Sequence, residues 1–107
     1  MHTIVVIMSA DPERRAETVS HLQRDVEPWA KRQAGFVSGQ WLATPDGRQG
    51  LGVIDFETFE QAELAAHGPR SYQRDEDRAW NVERVDVFEQ VARAGSDGAR
   101  ASLSPLR

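Results

Sequence analysis

Residues Gly35 to Phe56 read GFVSGQWLATPDGRQGLGVIDF, two runs of aromatic, β-branched and small residues on either side of a turn. At the centre is Thr44-Pro45-Asp46-Gly47. Pro45 presets φ for the first turn position, Asp46 hydrogen-bonds its own backbone, and Gly47 accepts positive φ. The stretch is therefore a β-hairpin, with a type I turn followed by a left-handed glycine. Alternation places Val37, Gly39, Trp41 and Ala43 on one face of its first strand, with Phe36, Ser38, Gln40 and Leu42 on the other. In the return strand Leu51, Val53 and Asp55 alternate with Gly52, Ile54 and Phe56. The register stays open, because a slip of one residue exchanges the faces.

Outward from the hairpin, each flank carries a helical pattern and then an apolar strand. On the N-terminal side, Asp11 and Pro12 read as N-cap and first helical residue. Val19, Leu22, Val26, Trp29 and Ala30 then form one apolar stripe. Pro28 predicts a kink or an end near Glu27, with 28–34 as a separate turn carrying Trp29. The segment HTIVVIM, His2 to Met8, is apolar on both faces, as in a covered central strand. On the C-terminal side, Thr58-Phe59-Glu60-Gln61 matches a capping box. That helix is expected to run to about Ala66 and stop at His67-Gly68-Pro69. Residues 70–80 read as a charged loop or short helix. Residues 81–91 read as a fourth strand, with Val85 and Val87 opposite Val82, Arg84, Asp86 and Phe88.

The order is β-α-β-β-α-β, an α+β ferredoxin-like fold with a four-stranded antiparallel sheet. One domain over 1–91 is followed by a Gly, Ser, Ala and Arg segment over 92–107, expected to be a flexible tail. Two right-handed crossovers put both helices on one sheet face and leave the other uncovered. Because the first and third strands are apolar on both faces, a homodimer with two sheets packed face to face is expected.

Composition narrows the function. With 39% apolar and 28% charged residues in 107, the chain is that of a globular domain. A formal charge of −4, with Lys31 as the single lysine, disfavours nucleic acid and anionic membranes as partners. The absence of cysteine excludes disulfides and thiolate chemistry. The longest apolar run, Ile4 to Met8, is too short to span a bilayer and lacks the flanks of a signal peptide, so a cytoplasmic location is expected. The three histidines have no repeated short spacing, and no metal site is expected.

The strand HTIVVIM, the pair GFVSGQW and LGVIDFET, and the helix after them resemble the dimeric α/β-barrel superfamily over residues 2–91. The chain is most similar there to the antibiotic-biosynthesis monooxygenase group, with stress-responsive barrel proteins next. The resemblance implies a ligand site between sheet and helices in each subunit. It also implies chemistry that ranges over cofactor-free oxidation of aromatic polyketides, haem breakdown, polyketide cyclisation and lactone isomerisation. In some cyclases of the stress-responsive type, a histidine acts from the position of His2, but Arg70 stands where their second histidine would be. The asparagine that the monooxygenases carry on their first strand is also missing, Asn81 being the one asparagine.

Three residues are candidate catalytic groups. His67 is either a general base at the pocket mouth or a partner of the helix dipole. Tyr72 accompanies the aromatic set, and Arg84, fixed by Asp86, is a candidate to orient an enolate or carboxylate. Trp29, Trp41, Trp80, Phe88 and His2 are candidates for binding a flat apolar substrate, with core packing as the alternative for the aromatics. His21, off the stripe, reads as solvated. The leading expectation is a cofactor-independent, monooxygenase-like enzyme for a small aromatic or polyketide-type metabolite, with no metal and no cofactor. The alternatives are a non-catalytic small-molecule-binding or stress-response dimer, a haem-binding protein with His67 as proximal ligand, and a polyketide cyclase.

Overall fold

The computed structural model describes residues 1–95. The flexible tail expected over 92–107 lies outside the described residues from position 96 onward. Four strands, β1 (His2–Ala10), β2 (Phe36–Ala43), β3 (Gln49–Phe56) and β4 (Trp80–Glu89), form one sheet in the order β2-β3-β1-β4. Every neighbouring pair is antiparallel. The helices are α1 (Arg15–His21), α2 (Glu27–Lys31) and α3 (Phe59–Arg70). This is the ferredoxin-like architecture that the element order predicts.

The turn chemistry accounts for the hairpin. Gly47 N–H donates to the Thr44 carbonyl at 2.9 Å, and Gly47 has φ +74°. A type I turn with a left-handed glycine closes it, as its sequence requires. The register is set with Leu51 opposite both Leu42 and Ile7. Two irregularities change the expected faces. Between Phe36 and Ser38 the β2–β3 register shifts by one residue, and Phe36 turns to the helix side against Phe56, ring centroids 6.4 Å apart. Between Ile7 and Met8 the β1–β4 register shifts likewise, so Val82 pairs with Met8 on the helix side and not with the Arg84 set.

The first helical segment also differs from expectation. It opens as a 3-10 turn over Pro12–Arg14, capped by the Asp11 carboxylate, which accepts Glu13 N–H at 3.0 Å. It then continues through Pro28 without breaking. A π turn over Leu22–Val26 joins α1 to α2, and Glu27 N–H reaches back five residues to the Leu22 carbonyl. A regular helix would drive the Pro28 ring into the Arg24 carbonyl, and the wider turn relieves that clash. Trp29 therefore belongs to a continuous helix, not to a separate turn.

The capping box of α3 is complete: Thr58 Oγ1 accepts Gln61 N–H and Gln61 Oε1 accepts Thr58 N–H, both at 3.2 Å. The helix does not stop at Ala66. It runs to Arg70 with Pro69 inside, and Gly68 keeps a right-handed conformation. Gly68 serves close approach, because a Cβ there would lie 2.8 Å from Cζ2 of Trp29. The stretch from Tyr72 to Ala79 is a loop, braced by Asn81, whose Oδ1 accepts Asp75 N–H at 2.9 Å.

The core lies between the helices and the sheet face carrying Ile4, Val6, Met8, Ile54 and Phe56, against Ala30, Ala62, Ala65 and Ala66. The small alanines of α3 let its backbone lie close to the strands. The opposite face, with Val5, Ile7, Leu42, Leu51 and Val53, has no covering element among the described residues.

Candidate functional site

Two cavities open between the helix-side face of the sheet and the helices. The smaller, about 240 Å³, lies among β1, β3, β4, the π turn, Trp29 and the C-terminal end of α3. The larger, about 530 Å³, lies between α1 and the β2–β3 hairpin. Met8, Trp41 and Trp80 line both and form the divide. Small-molecule sites typically measure roughly 300–1,000 Å³, so the smaller compartment suits a compact ligand and the larger an extended one.

Each aromatic wall has a local cause. Trp41 lies over bare backbone: a Cβ at Gly39 or Gly52 would come within 3.0 or 3.1 Å of its indole. Trp29 reaches the cleft from α2 and rests on Gly68. Trp80, at the start of β4, is buried and donates its indole N–H to Nδ1 of His21 at 2.8 Å. Tyr72 stacks on Trp80 with centroids 5.7 Å apart and planes 29° apart, and the Arg78 guanidinium sits 5.2 Å from the Tyr72 centroid. The result is a flat, largely apolar slot whose lining includes few residues with polar side chains, chiefly Asp25, Ser71 and Tyr72. Such a slot stacks a planar ligand and orients it through one or two hydrogen bonds.

The loop beside the slot is tied to β4 by charge. Glu83 accepts from the Ser9 hydroxyl and from Arg74, and these two hydrogen bonds hold its carboxyl below the usual range. On the hairpin, the Arg48 backbone N–H and the Thr44 hydroxyl do the same for Asp46.

Of the residues expected from sequence, Trp29, Trp41, Trp80 and Tyr72 come together at the cleft. The others do not. His67 is exposed on α3 and lines neither cavity. Arg84 and Phe88 lie on the opposite sheet face, where Arg84 Nε donates to Asp86 Oδ2 at 2.6 Å and Phe88 is 52% exposed. His2 sits at the far end of β1, its ring edge-on to Phe59 at 5.4 Å and its Nδ1 buried without a partner. The larger cavity has room for a macrocycle, yet His67, the imidazole expected to hold haem iron, is outside it. Sequence reasoning missed His21, Asp25 and Met8. The expectation that His21 is solvated fails because it flanks the apolar stripe and turns inward to Trp80. Its spacing of four from Asp25, with Nε2 and Oδ2 now 3.6 Å apart, was the available signal.

No protein-family model and no curated protein matches the chain. Among solved structures it is similar to a haem degrader from Mycobacterium tuberculosis with two haems bound in its active site. The identity is 16% over 89% of this chain and all of that one, with a TM-score of 0.67. HapK from Hahella chejuensis gives the same TM-score of 0.67 at 13% identity, over 92% of this chain and all of that one. A monooxygenase of Streptomyces coelicolor in complex with nanaomycin D aligns at 24% identity and a TM-score of 0.51, over 65% of this chain and 64% of that one. With its sheet order, its two helical crossovers and these neighbours, the chain has a ferredoxin-like fold that it shares with these solved structures.

Proposed function

We propose that this chain is a cofactor-independent, monooxygenase-like enzyme that takes a small aromatic or polyketide-type metabolite into the cleft between sheet and helices, working as a homodimer. The observation that carries this is the convergence of Trp29, Trp41, Trp80 and Tyr72 around a cavity of about 240 Å³. Stacking on the indoles would hold a planar ring system. The Tyr72 hydroxyl would donate to a ligand oxygen and stabilise charge developing there. The Asp25 carboxylate, at the rim, would accept a proton from a ligand hydroxyl as the ring becomes electron-rich. His67 and Arg84 take no part, lying outside the cleft. The fold neighbours that are a monooxygenase holding nanaomycin D and a haem degrader support a ligand of this kind.

A non-catalytic binding role is the second reading. It is favoured by Tyr72 being alone among the three expected catalytic residues in lining the cleft. One experiment separates them. Chelator-treated protein is titrated with nanaomycin D and with hemin while tryptophan emission is followed, and oxygen uptake is then measured with 1,8-dihydroxyanthrone. The enzyme reading expects saturable quenching by nanaomycin D and faster uptake than the blank, falling about tenfold or more in Tyr72→Phe. Quenching without uptake leaves the binding role. Preferential binding of hemin overturns the aromatic-metabolite assignment.

A further inference from the structure

Resting on the cleft as the ligand site proposed above, we infer that His21 is a positioning residue that sets how large a ligand the cleft accepts, by fixing Trp80 in the divide between its two compartments. Trp80 lines both cavities, and its indole N–H is held by His21 Nδ1 at 2.8 Å. An indole N–H donates and never accepts, so His21 must present a lone pair at Nδ1. The imidazole proton then sits on Nε2, on the side of Asp25 Oδ2, 3.6 Å away. The rings of His21 and Trp80 are also in contact, with centroids 5.4 Å apart. His21 occupies this place because it ends α1 where the π turn begins. Deprived of its acceptor, a buried indole N–H is left unsatisfied and Trp80 turns to find another partner. The compartments of about 240 and 530 Å³ then merge.

Protonation of His21 has the same consequence, because a second N–H at Nδ1 cannot accept from Trp80. The charged group beside the imidazole is Asp25 on the π turn, while Glu17, one turn back on α1, is engaged by Arg14, and Arg78 on the loop lies against Tyr72. Tyr72, stacked on Trp80, would follow a movement of the indole.

The test uses the full chain and two probes with the same anion but different length, naphthalene-2-sulfonate and anthraquinone-2-sulfonate. Nitrogen–proton NMR of the wild type should show one of the three indole N–H resonances protected from exchange and shifting as histidine is protonated. In His21→Leu that resonance loses both properties, and the preference for the shorter probe falls about three- to tenfold, the scale of one buried hydrogen bond. His21→Gln, whose side-chain oxygen still accepts, restores the preference. An indole resonance that responds to pH equally in His21→Leu, or wild-type spectra with no responding resonance, overturns the positioning role without any need for a variant to bind ligand. Unchanged preference in a folded His21→Leu overturns the specificity role alone. Failure of the wild type to bind either probe overturns the cleft as ligand site together with that specificity role, while the NMR signature still decides what His21 does to Trp80.

Discussion

Gly68 and Trp29 show how single residues shape this cleft. Glycine in a helix costs about 1 kcal/mol relative to alanine, so Gly68→Ala would ordinarily stabilise α3. Here the added Cβ meets Cζ2 of Trp29 at 2.8 Å, inside any tolerable contact. We expect Gly68→Ala to destabilise the chain by about 1–3 kcal/mol, the usual cost of overpacking, as read by urea denaturation. In Trp29→Leu, where the indole is gone, the same change should be neutral to stabilising by up to about 1 kcal/mol. At this scale the sequence was partly legible. The three tryptophans and Tyr72 could be recognised as a set, because large aromatics need a wall or a core to cover them. Which sheet face the cleft uses could not be read. Period-two alternation groups Arg84 with Phe88 but does not say which side the helices cover, and both proved to lie on the other side. His21 escaped notice because a flanking position on a helix reads as solvent until its partner from a distant strand is known; Trp80 is 59 residues away.

Among the elements, the hairpin was the most legible, since turn residues carry their own geometry. Asp46 accepts from Arg48 N–H and from the Thr44 hydroxyl, and its carboxyl is held below the ordinary range. A group whose folded-state pKa is depressed contributes stability above its unfolded value and loses it as pH falls through the folded one. Asp46→Ala should therefore lower the thermal midpoint at neutral pH, and the difference from wild type should close in acid below the ordinary carboxylate range. An unchanged gap at every pH would mean that the turn does not depend on the charge. The α3 cap is similarly local: Thr58→Ala should cost about 1 kcal/mol in denaturant unfolding through loss of the bond from Gln61 N–H to the Thr58 hydroxyl. Less legible were the π turn and the two register shifts. Pro28 announced trouble in the helix, but whether a chain breaks or widens by one residue depends on whether Trp29 still reaches the core. A bulge, likewise, is one extra residue with no fixed composition, and each one moved a side chain, Phe36 or Val82, to the helix face.

At the scale of the whole molecule, β-α-β-β-α-β order and crossover handedness left few topologies, and the strand order β2-β3-β1-β4 is the one they predict. The sheet face away from the helices carries Ile7, Leu42 and Phe88 at 36%, 49% and 52% exposure, an apolar area that a second copy would cover. We expect light scattering to give roughly twice the 12.0 kDa chain mass, and Leu42→Glu, opposite the apolar Leu51, to return the monomer value by placing a charge in that interface. A monomeric wild type would contradict dimerisation through this face and leave the cleft untouched, since the two lie on opposite sides of the sheet. On the function proposed, the cleft between sheet and helices holds a planar aromatic ligand. The most direct test is a crystal structure of the protein soaked with nanaomycin D. Density is expected stacked against Trp80 and Trp29, with a ligand oxygen within hydrogen-bonding distance of the Tyr72 hydroxyl. A cleft closed by its own side chains, or density elsewhere on the molecule, would contradict it.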